Sequence, residues 1–443
     1  MENTFVSAPS PLICKIELRG LFGIFDYDLD FEGANSAGDA APLAILYGDN
    51  GSGKTTILKL VLNLLSPSPS EGHRTAIAKV RFLQLSVRLS DNRSILAYRM
   101  DATDGPFSVA VNGIPEPIQF TWTPELVRED HPSTYLDYCD WLNELPFSVS
   151  YLADDRRMLK TSKPKSGLFR RHTSRTFATG ISRPREHDDS ISPFDQRLLD
   201  AAGRVSDWFR RQALRGGNTG GASSNSIYRN VIRNIKDFGT PAQTVISPEE
   251  LELELSILTE RNADYATLGL TPEFDGEGLI EDLRQIGAAQ LPLAQQVLRP
   301  YLNGIRARLD ALEEVQKTMR ALMSHAANFY SHKKLRVSLR EGIEIELPGK
   351  LNLQLRDLSS GEKQLLLMLC ETILSREQPT VFMIDEPELS LNIKWQRQLV
   401  STLLGLVSTA NAQFILATHS LELLTMYRSH VVALKPFEAQ LEQ

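Results

Sequence analysis

A glycine-rich run near the amino terminus has the residue types and the spacing that bind a phosphate chain. It fits the pattern GxxxxGK(S/T) and is followed by one more hydroxyl residue; its members are Gly48, Asp49, Asn50, Gly51, Ser52, Gly53, Lys54, Thr55 and Thr56. Glycines let the backbone curve round an anion, and a helix that begins here would point free N–H groups at the same phosphates. We expect Lys54 to reach the β- and γ-phosphates and the Thr55 hydroxyl to bind Mg²⁺. The alternative is a glycine-rich turn between a strand and a helix that carries a lysine by chance.

Two adjacent carboxylates, Asp385 and Glu386, follow an apolar run at residues 380–384. Such a run predicts a strand that is buried on both faces of a parallel sheet, and ligands of these sheets bind at the carboxyl ends of the strands. We expect Asp385 to hold Mg²⁺ through water, and Glu386 to act as the general base that polarises the attacking water. Two acids at this position could also simply stabilise the start of a helix.

A histidine, His419, follows a second apolar run at residues 413–418. This run also predicts a buried parallel strand, with the histidine at its end. A neutral imidazole there can hydrogen-bond a γ-phosphate and relay its cleavage, which makes His419 a third catalytic candidate beside Glu386 and Lys54. A lone histidine can equally be a polar group that is satisfied within the fold.

A fourth candidate motif lies at residues 358–364, where an apolar helix is predicted to begin. Its candidate nucleotide-binding residues are Ser359, Ser360, Gly361 and Glu362. A hydroxyl and free N–H groups at a helix start suit an anion. The same residues also fit a plain helix cap, in which Ser359 and Glu362 form a capping box.

The segments around these candidates include many predicted strands. Alternating apolar residues predict strands at 13–18, 27–31, 78–89, 94–100, 107–111 and 147–152, and a hairpin at 335–347. Residues 43–47 form the predicted strand that leads into the glycine-rich run. Several of the others suggest an antiparallel sheet that packs on the phosphate-binding part.

Between Pro193 and about Phe329 the apolar spacing is helical. One helix is predicted from residue 193 to a break in the glycine-rich stretch 216–221, with further helices around 227–235 and 251–258. The longest helix is predicted to begin near Pro300, since proline suits a first helical turn, and to span roughly 45 Å. It would form a short stalk or lid, although a buried helix of a compact α-domain fits the same spacing.

Composition is that of an ordinary soluble protein. The chain has 443 residues, 42% of them hydrophobic and 23% charged, and a formal net charge of -7, which argues against a protein that coats nucleic acid. Its three cysteines, Cys14, Cys139 and Cys370, lie far apart, which predicts no disulfide framework and a reducing cytoplasm. The sequence shows no signal-peptide pattern and no apolar run long enough to cross a membrane, so we expect no membrane association.

One segment departs from the acidic average. Residues 156–185 contain ten Lys or Arg and no Asp or Glu. Such a segment could contact the phosphates of a nucleic acid or an acidic protein. Its serines, prolines and glycines fit a solvated loop equally well.

Together, the four motifs resemble the head domain of ABC-type ATPases. The resemblance is to the branch that contains SMC, Rad50 and RecF proteins and the overcoming-lysogenization-defect (OLD) family, with groups such as AAA_15 and AAA_21. It covers residues 13–65 and 335–434 and the sheet near 78–152. Three residues depart from the family pattern. In the signature, Ser360 stands where glycine is usual and Glu362 where transporters tend to carry glutamine; in the loop after the two acids, Asn392 stands where relatives usually have histidine.

The resemblance implies an α/β fold, an ABC-type ATPase head with a parallel core sheet, an antiparallel β-subdomain and a helical insertion. Residues 1–155 would form the first part of the head, and 156–192 a basic loop. The helical insertion would be residues 193–332. Residues 333–443 would complete the head with the signature helix, the two carboxylates and His419.

In that family, ATP is held between the phosphate loop of one head and the signature helix of another. The resemblance therefore implies ATP and Mg²⁺ as cofactors and an ATPase activity. It also implies a homodimer, or a higher homo-oligomer, in which two ATP molecules lie between the heads. Binding would close this assembly and hydrolysis would let it open.

A head with these motifs and a helical insertion resembles the ATPase subunits of bacterial anti-phage systems such as PARIS or Septu. This implies a sensor ATPase that regulates an effector, expected to be a nuclease. OLD nucleases carry their nuclease domain after the ATPase, whereas little of this sequence follows His419, so we expect the nuclease to be a separate protein. Residues 156–185 would contact DNA or an acidic phage protein. The alternatives are a RecF-like repair ATPase that clamps DNA, and an ATP-gated scaffold that hydrolyses slowly.

Overall fold

The chain divides into two units. A computed structural model describes residues 12–32, 41–68, 71–120, 133–154, 158–161, 191–236, 247–287, 290–330, 332–389, 391–407 and 412–434. The first unit is formed by Met1–Phe194 with Ser375–Gln443, and the second by Asp195–Leu374.

In chain order, the described strands are β1 (Ile13–Leu21), β2 (Phe25–Asp30), β3 (Leu43–Tyr47), β4 (Gln84–Leu89), β5 (Ser94–Tyr98), β6 (Phe107–Val111), β7 (Ile118–Phe120), β8 (Ser148–Leu152), β9 (Met158–Lys160), β10 (Lys334–Ser338), β11 (Gly342–Leu347), β12 (Leu351–Leu353), β13 (Thr380–Asp385), β14 (Ala412–Ala417) and β15 (Val431–Ala433). The described α-helices are α1 (Lys54–Leu65), α2 (His73–Ala78), α3 (Ser133–Asn143), α4 (Pro193–Lys236), α5 (Pro248–Ala266), α6 (Gly276–Gln285), α7 (Leu291–Ala327), α8 (Ser360–Leu374), α9 (Ile393–Leu406) and α10 (Leu421–Met426).

The first unit contains a largely parallel sheet with the strand order β15-β3-β14-β13-β8-β9. Strands β15, β3, β14, β13 and β8 pair in parallel, and β9 pairs antiparallel with β8. The two apolar runs predicted from the sequence are β13 and β14, and every residue of both is buried. Because β14 lies between β3 and β13, the carboxyl ends of these three strands are neighbours at one edge of the sheet.

A second sheet of the same unit is antiparallel, with the strand order β2-β1-β4-β5-β6-β7. Its strands alternate as expected for a sheet with one face in the core, so that Leu85, Val87 and Leu89 of β4 are buried while Arg88 is exposed. The parallel core sheet, the antiparallel sheet and the helical insertion of the predicted α/β fold are therefore all present.

One hydrophobic core joins the two sheets. It includes Leu18 of β1, Val61 of α1, Met383 of β13 and Ile415 of β14. The fully buried side chain of Gln413 adds a polar connection, because its Oε1 accepts a hydrogen bond from the N–H of Ile13 (2.9 Å) and its Nε2 donates to the Ile13 carbonyl (2.8 Å). The amide of a β14 side chain thus satisfies both main-chain groups of a β1 residue.

The strand predicted at 78–89 is wrong in its first half. Helix α2 ends at Ala78, and β4 begins only at Gln84. The guanidinium of Arg99 donates to the carbonyls of Ile77 (3.0 Å) and Ala78 (3.2 Å) and so satisfies the end of the helix. This cap comes from a residue on the far side of β5, which alternation within the segment cannot reveal.

The second unit is mainly helical, and its first helix departs from the prediction. The expected break at 216–221 is wrong, because α4 continues through it for 44 residues and includes the helix predicted at 227–235. A Cβ on Gly216 would lie 2.8 Å from the carbonyl oxygen of Ala311 on α7. The glycine therefore allows two helices to approach closely and does not end one of them.

The longest predicted helix is present as α7, but its predicted start near Pro300 is wrong. The helix begins at Leu291, with Pro300 inside it, and its 37 residues span about 56 Å. Another proline, Pro292, lies in its first turn, the position where proline is tolerated. The third predicted helix is α5, and its apolar residues Leu251, Leu255 and Leu258 are buried as expected.

The predicted hairpin is formed by β10 and β11, with β12 as a third strand. It is followed by α8, which begins at the signature motif. Of the basic segment 156–185, only residues 158–161 are described, and they include β9; the rest lies outside the described residues. No described helix combines the length and the apolar composition that a membrane span requires.

Candidate functional site

The phosphate-binding candidate forms the loop between β3 and α1. Gly51 (φ +84°) and Gly53 (φ +89°) adopt the left-handed conformation that favours glycine. A Cβ on Gly53 would also lie 2.8 Å from a methyl carbon of Leu21. The Tyr27 hydroxyl donates to the Ser52 carbonyl at 2.7 Å and fixes the loop from β2. Gly48 is buried, Asn50 is exposed, and Thr55 and Thr56 are half-buried on the first turn of α1.

The buried ammonium of Lys54 folds back onto this loop. Its Nζ donates to the carbonyls of Gly48 (2.7 Å) and Asp49 (3.2 Å) and lies 3.4 Å from Nδ1 of His419. Burial lowers the pKa of Lys54 and outweighs the carboxylates of Glu386 and Asp385, which raise it. The lysine is therefore held at the loop by contacts that a phosphate could replace.

Asp385 is the last residue of β13, and its two carboxylate oxygens differ in their hydrogen bonding. The hydroxyl of Tyr151, on the neighbouring strand β8, donates to Oδ2 at 3.2 Å. Oδ1 is buried and makes no hydrogen bond with any described residue. Burial raises the pKa of the carboxyl group, although the Thr55 and Tyr151 hydroxyls act to lower it. Asp385 and Thr55, which were predicted to bind the metal, are thus neighbours.

Glu386 lies one residue beyond the strand, in an unusual backbone conformation. Its φ is +48°, which is unfavourable for a residue with a side chain, and its N–H donates to the carbonyl of Ala417 at the end of β14 (2.8 Å). Backbone strain of this kind is concentrated at functional sites. Burial, and then the carboxylates of Glu388 and Asp385, raise the pKa of Glu386 to about 8. A carboxyl group with a pKa near neutrality is suited to act as a general base.

His419 connects these groups. Lys54 can only donate, so Nδ1 of the imidazole accepts, and Nε2 carries the hydrogen that it shares with Oε1 of Glu386 (3.1 Å). Burial and the Lys54 ammonium lower the pKa of His419, so the imidazole is neutral at physiological pH. The three residues predicted to be catalytic, Lys54, Glu386 and His419, therefore form one chain of contacts.

The edge of the sheet at the carboxyl ends of β3, β14 and β13 has polar groups that suit a nucleotide with its metal ion. Three of its side-chain oxygens, Ser52 Oγ, Asp385 Oδ1 and Glu388 Oε2, are buried and make no hydrogen bond with the described residues. Unsatisfied buried polar atoms are costly, and their concentration at one place suits a site completed by a ligand. Oxygen ligands of this kind are those that Mg²⁺ prefers, together with phosphate oxygens.

The signature candidate lies in the second unit, at the start of α8. Ser359 and Glu362 form a capping box, in which the N–H and hydroxyl of Ser359 donate to Glu362 Oε2 (2.8 and 2.7 Å) and the Glu362 N–H donates to Ser359 Oγ (3.4 Å). Lys333 Nζ also donates to both carboxylate oxygens of Glu362 (2.8 Å each). Burial raises the pKa of Glu362, but these hydrogen bonds outweigh burial and lower it.

The structure therefore contains the helix cap that the sequence analysis gave as one interpretation of this motif. Ser360 and Gly361 follow in the first turn of α8, with Ser360 exposed and Gly361 buried. Binding of a phosphate by Ser359, Ser360, Gly361 and Glu362 stays a prediction.

Two residues at the strand ends were missed by the sequence analysis. Tyr151 is fully buried, and a buried tyrosine hydroxyl normally needs a partner, which is the signal that could have drawn attention to it. Glu388, in the loop after β13, accepts hydrogen bonds from the end of β14. Its only sequence signal is that it is a third acid close to Asp385 and Glu386. The residue beyond that loop, Asn392, caps α9 by accepting from the Trp395 N–H at 2.9 Å.

Comparison with known families supports the ATPase class. Residues 303–425 match the AAA_21 family, described as "AAA domain, putative AbiEii toxin, Type IV TA system". The matched region contains α8, β13 and β14, and with them Ser359, Asp385, Glu386 and His419. This part of the chain is thus similar to an ATPase domain, as the motifs indicate.

Two solved structures are similar over most of their length. One is the SMC head domain from Pyrococcus furiosus with an extended coiled coil, bound to the C-terminal domain of ScpA; it is 15% identical, covers 94% of this chain and 91% of its own, and gives a TM-score of 0.39. The other is an SMC head bound to the C-winged helix domain of ScpA, with 14% identity, coverages of 96% and 94% and a TM-score of 0.40. These low values assign no partner or activity to this chain. Among curated proteins, none matches the chain.

Proposed function

We propose that the protein binds Mg²⁺-ATP at the strand-end site and hydrolyses it. The observation that carries this proposal is the convergence of Lys54, Asp385, Glu386 and His419 at the neighbouring ends of β3, β13 and β14. A phosphate loop, a buried carboxylate, a carboxyl group with a raised pKa and a neutral histidine are the groups that phosphoryl transfer to water requires.

The phosphate chain would lie against the loop and the start of α1, whose N–H groups and dipole favour an anion. Lys54 would exchange the carbonyls of Gly48 and Asp49 for phosphate oxygens. Thr55 and Asp385 would hold Mg²⁺, which when bound neutralises the charge that develops on the phosphates. Tyr151 keeps one oxygen of Asp385 occupied and leaves the other free for this role.

Glu386 would remove a proton from the attacking water. In its ionised form, its carboxylate accepts the hydrogen of Nε2 of His419 at Oε1, which orients the base. The contact between Lys54 and Nδ1 keeps the imidazole in the tautomer that can make this bond. The imidazole that orients Glu386 is thus itself held by Lys54, the residue that would bind the phosphates.

We further propose that two copies close around ATP, with the α8 helix start of one copy facing the γ-phosphate bound to the other. The support for this step is the family resemblance and the local chemistry of α8, where Ser359 and Gly361 begin a helix. The Ser359 hydroxyl would turn from Glu362 to the phosphate on closure. Lys333 would then remain paired with Glu362 and limit the repulsion between its carboxylate and the phosphate.

Closure and opening would regulate a separate effector protein, expected to be a nuclease, in defence against phage. The resemblance of the motifs to defence ATPase subunits supports this role, and so does the description of the matched family, which names a toxin–antitoxin system. The basic segment 156–185 would contact DNA or an acidic phage protein.

The test is the ATPase rate of the purified protein, measured with and without duplex DNA, together with its mass in ATP and in ADP. We expect slow basal hydrolysis, a doubling of mass in ATP, and little change with DNA alone. Strong stimulation by DNA alone would replace the defence role with a RecF-like repair function. Dimers that form in ATP without measurable turnover would instead indicate an ATP-gated scaffold.

A further inference from the structure

The loop that carries Glu386 and the loop that carries His419 are tied together by Glu388. Its Oε1 accepts hydrogen bonds from the N–H of His419 (3.1 Å), the N–H of Ser420 (3.0 Å) and the hydroxyl of Thr418. The Thr418 hydroxyl in turn accepts from the Ser420 N–H at 2.9 Å. One carboxylate oxygen thus fixes three consecutive residues at the end of β14.

These bonds set the position of the imidazole. His419 contacts Glu386 with one ring nitrogen and Lys54 with the other, at 3.1 and 3.4 Å, so a small shift of its backbone would lose both contacts. The imidazole is also 38% exposed and so is only partly held by packing. Its backbone N–H is held by Glu388, on the loop that also carries Glu386.

We infer that Glu388 is a positioning residue for hydrolysis, which acts by holding the His419 backbone so that the imidazole stays between Glu386 and Lys54. This inference rests on the proposed ATPase function. Glu388 itself need not touch ATP or water. Its role differs from helix capping, because Ser420 already caps α10 with its own side chain.

The first test compares Glu388→Ala with Glu388→Gln in steady-state ATP hydrolysis at about pH 9.5, where Glu386 is ionised whether or not Glu388 raises its pKa. Alanine removes the acceptor for all three donors, and we expect kcat to fall roughly 30-fold while KM for ATP stays within about threefold, since misplaced catalytic groups slow the chemical step. Glutamine keeps an oxygen of the same reach, so its kcat should remain within about threefold of the wild type. A matched control, Glu422→Ala on α10, removes an ion pair with Arg397 and should leave both constants unchanged.

The second test asks whether Glu388 acts through His419. In the double variant Glu388→Ala/His419→Ala, kcat should be no lower than in His419→Ala alone, because the group being positioned is already absent. If the two effects multiply, Glu388 acts independently of His419 and the inference is overturned.

Should Glu388→Ala fail to fold, Thr418→Val replaces it as a nearly isosteric loss of one of the three donors. We expect this variant to lower kcat roughly fivefold at unchanged KM. A wild-type rate in Glu388→Ala, or in Thr418→Val where Glu388→Ala does not fold, would overturn the inference. A Glu388→Gln variant as slow as the alanine variant would overturn it too, since that would show that charge and not the hydrogen-bond acceptor matters. A wild-type protein without ATPase activity would overturn the proposed function as well, whereas an active wild type with an unaffected Glu388→Ala would overturn only the role of Glu388.

Discussion

The strand ends around Asp385 and the start of α8 differ in how many hydrogen bonds their polar side chains make. At the strand ends, three side-chain oxygens are buried without a hydrogen-bond partner among the described residues, and Glu386 keeps a left-handed backbone. At the start of α8, the hydroxyl of Ser359 and both oxygens of Glu362 are engaged, and Lys333 balances the charge. Further along the same motif, Oε1 of Gln364 is buried without a hydrogen-bond partner among the described residues.

The difference indicates that Asp385 and Ser52 still have oxygens that a ligand could engage, whereas the polar groups of Ser359 and Glu362 already have partners within the second unit. A ligand at the strand ends would satisfy atoms that are now costly to bury. A phosphate at α8 would first have to displace the Ser359 hydroxyl from the Glu362 carboxylate, and this charge-assisted hydrogen bond contributes about 2 kcal/mol. The strand-end site should therefore bind nucleotide within a single copy, and α8 should respond only after that site is filled.

The largest effect is expected from Glu386→Gln. The amide has the same shape but cannot accept a proton, so kcat for ATP hydrolysis should fall roughly a thousandfold while ATP binding is kept. Trapped dimers should then accumulate in ATP, as seen by light scattering. Normal turnover of this variant would assign the base elsewhere and remove the functional meaning of the strained backbone.

Lys54→Ala should weaken ATP binding by roughly 100-fold, because it removes charge-assisted hydrogen bonds to the phosphates. Isothermal titration with a non-hydrolysable ATP analogue measures this directly. The exposed lysine Lys79, in the same unit, provides the control variant Lys79→Ala, which should bind as the wild type does. Equal affinities for the two variants would contradict the phosphate role of the loop.

The raised pKa of Glu386 predicts a pH dependence. The base must be ionised, and the pKa is about 8, so kcat/KM for ATP should rise about tenfold per pH unit between pH 6 and 7 and level off above pH 8. The same measurement on Glu386→Gln should show no such rise. A profile of the wild type that is flat from pH 6 upward would mean that burial and Glu388 do not raise this pKa in solution.

Tyr151→Phe removes only the hydroxyl that holds Asp385. We expect the Mg²⁺ concentration for half-maximal activity to rise roughly fivefold, with kcat restored at saturating Mg²⁺, because outer-shell partners orient a metal ligand without supplying the chemistry. Activity measured over a Mg²⁺ titration tests this. A loss of kcat that excess Mg²⁺ does not restore would point to misfolding or to a different role of the tyrosine.

The smallest expected effect is a difference in stability between two serine variants, one in each region, measured without nucleotide. Ser359→Ala breaks the capping box and should lower the free energy of unfolding by about 1 kcal/mol. Ser52→Ala removes a hydroxyl that makes no hydrogen bond with the described residues and should leave stability unchanged or slightly higher. Urea denaturation of both variants checks the contrast, and equal losses would show that the two regions do not differ as described.

Much of the strand-end site could be predicted because its signals are local in sequence. Strand β13 (Thr380–Asp385) contains the apolar run at 380–384 and extends by one residue, since an apolar run followed by two acids specifies both the strand and its end. Two glycines of the loop between β3 and α1, Gly51 and Gly53, are likewise favoured by their own backbone angles. The structure adds the contacts between residues that are distant in sequence, such as the contact of His419 with Lys54, which lies 365 positions away in the chain.

Predictions were wrong where a partner distant in sequence decides the outcome. Gly216 lies inside a helix because α7 passes close to it, and α2 ends at Ala78 because Arg99 caps it. Tyr151 and Glu388 were missed for the same reason, since each acts on a neighbouring strand end. Local pattern specifies elements and motifs, whereas these contacts exist only once the sheet has formed.

The buried amide of Gln413 has a consequence for how the first unit unfolds. Separation of β1 from β14 would break both hydrogen bonds between the Gln413 amide and the main chain of Ile13 in a buried part of the core. We therefore expect the antiparallel sheet to unfold together with the parallel sheet, which carries the glycine-rich loop, and not before it. Occupancy of that loop should slow amide hydrogen exchange in β1 as well as in β3.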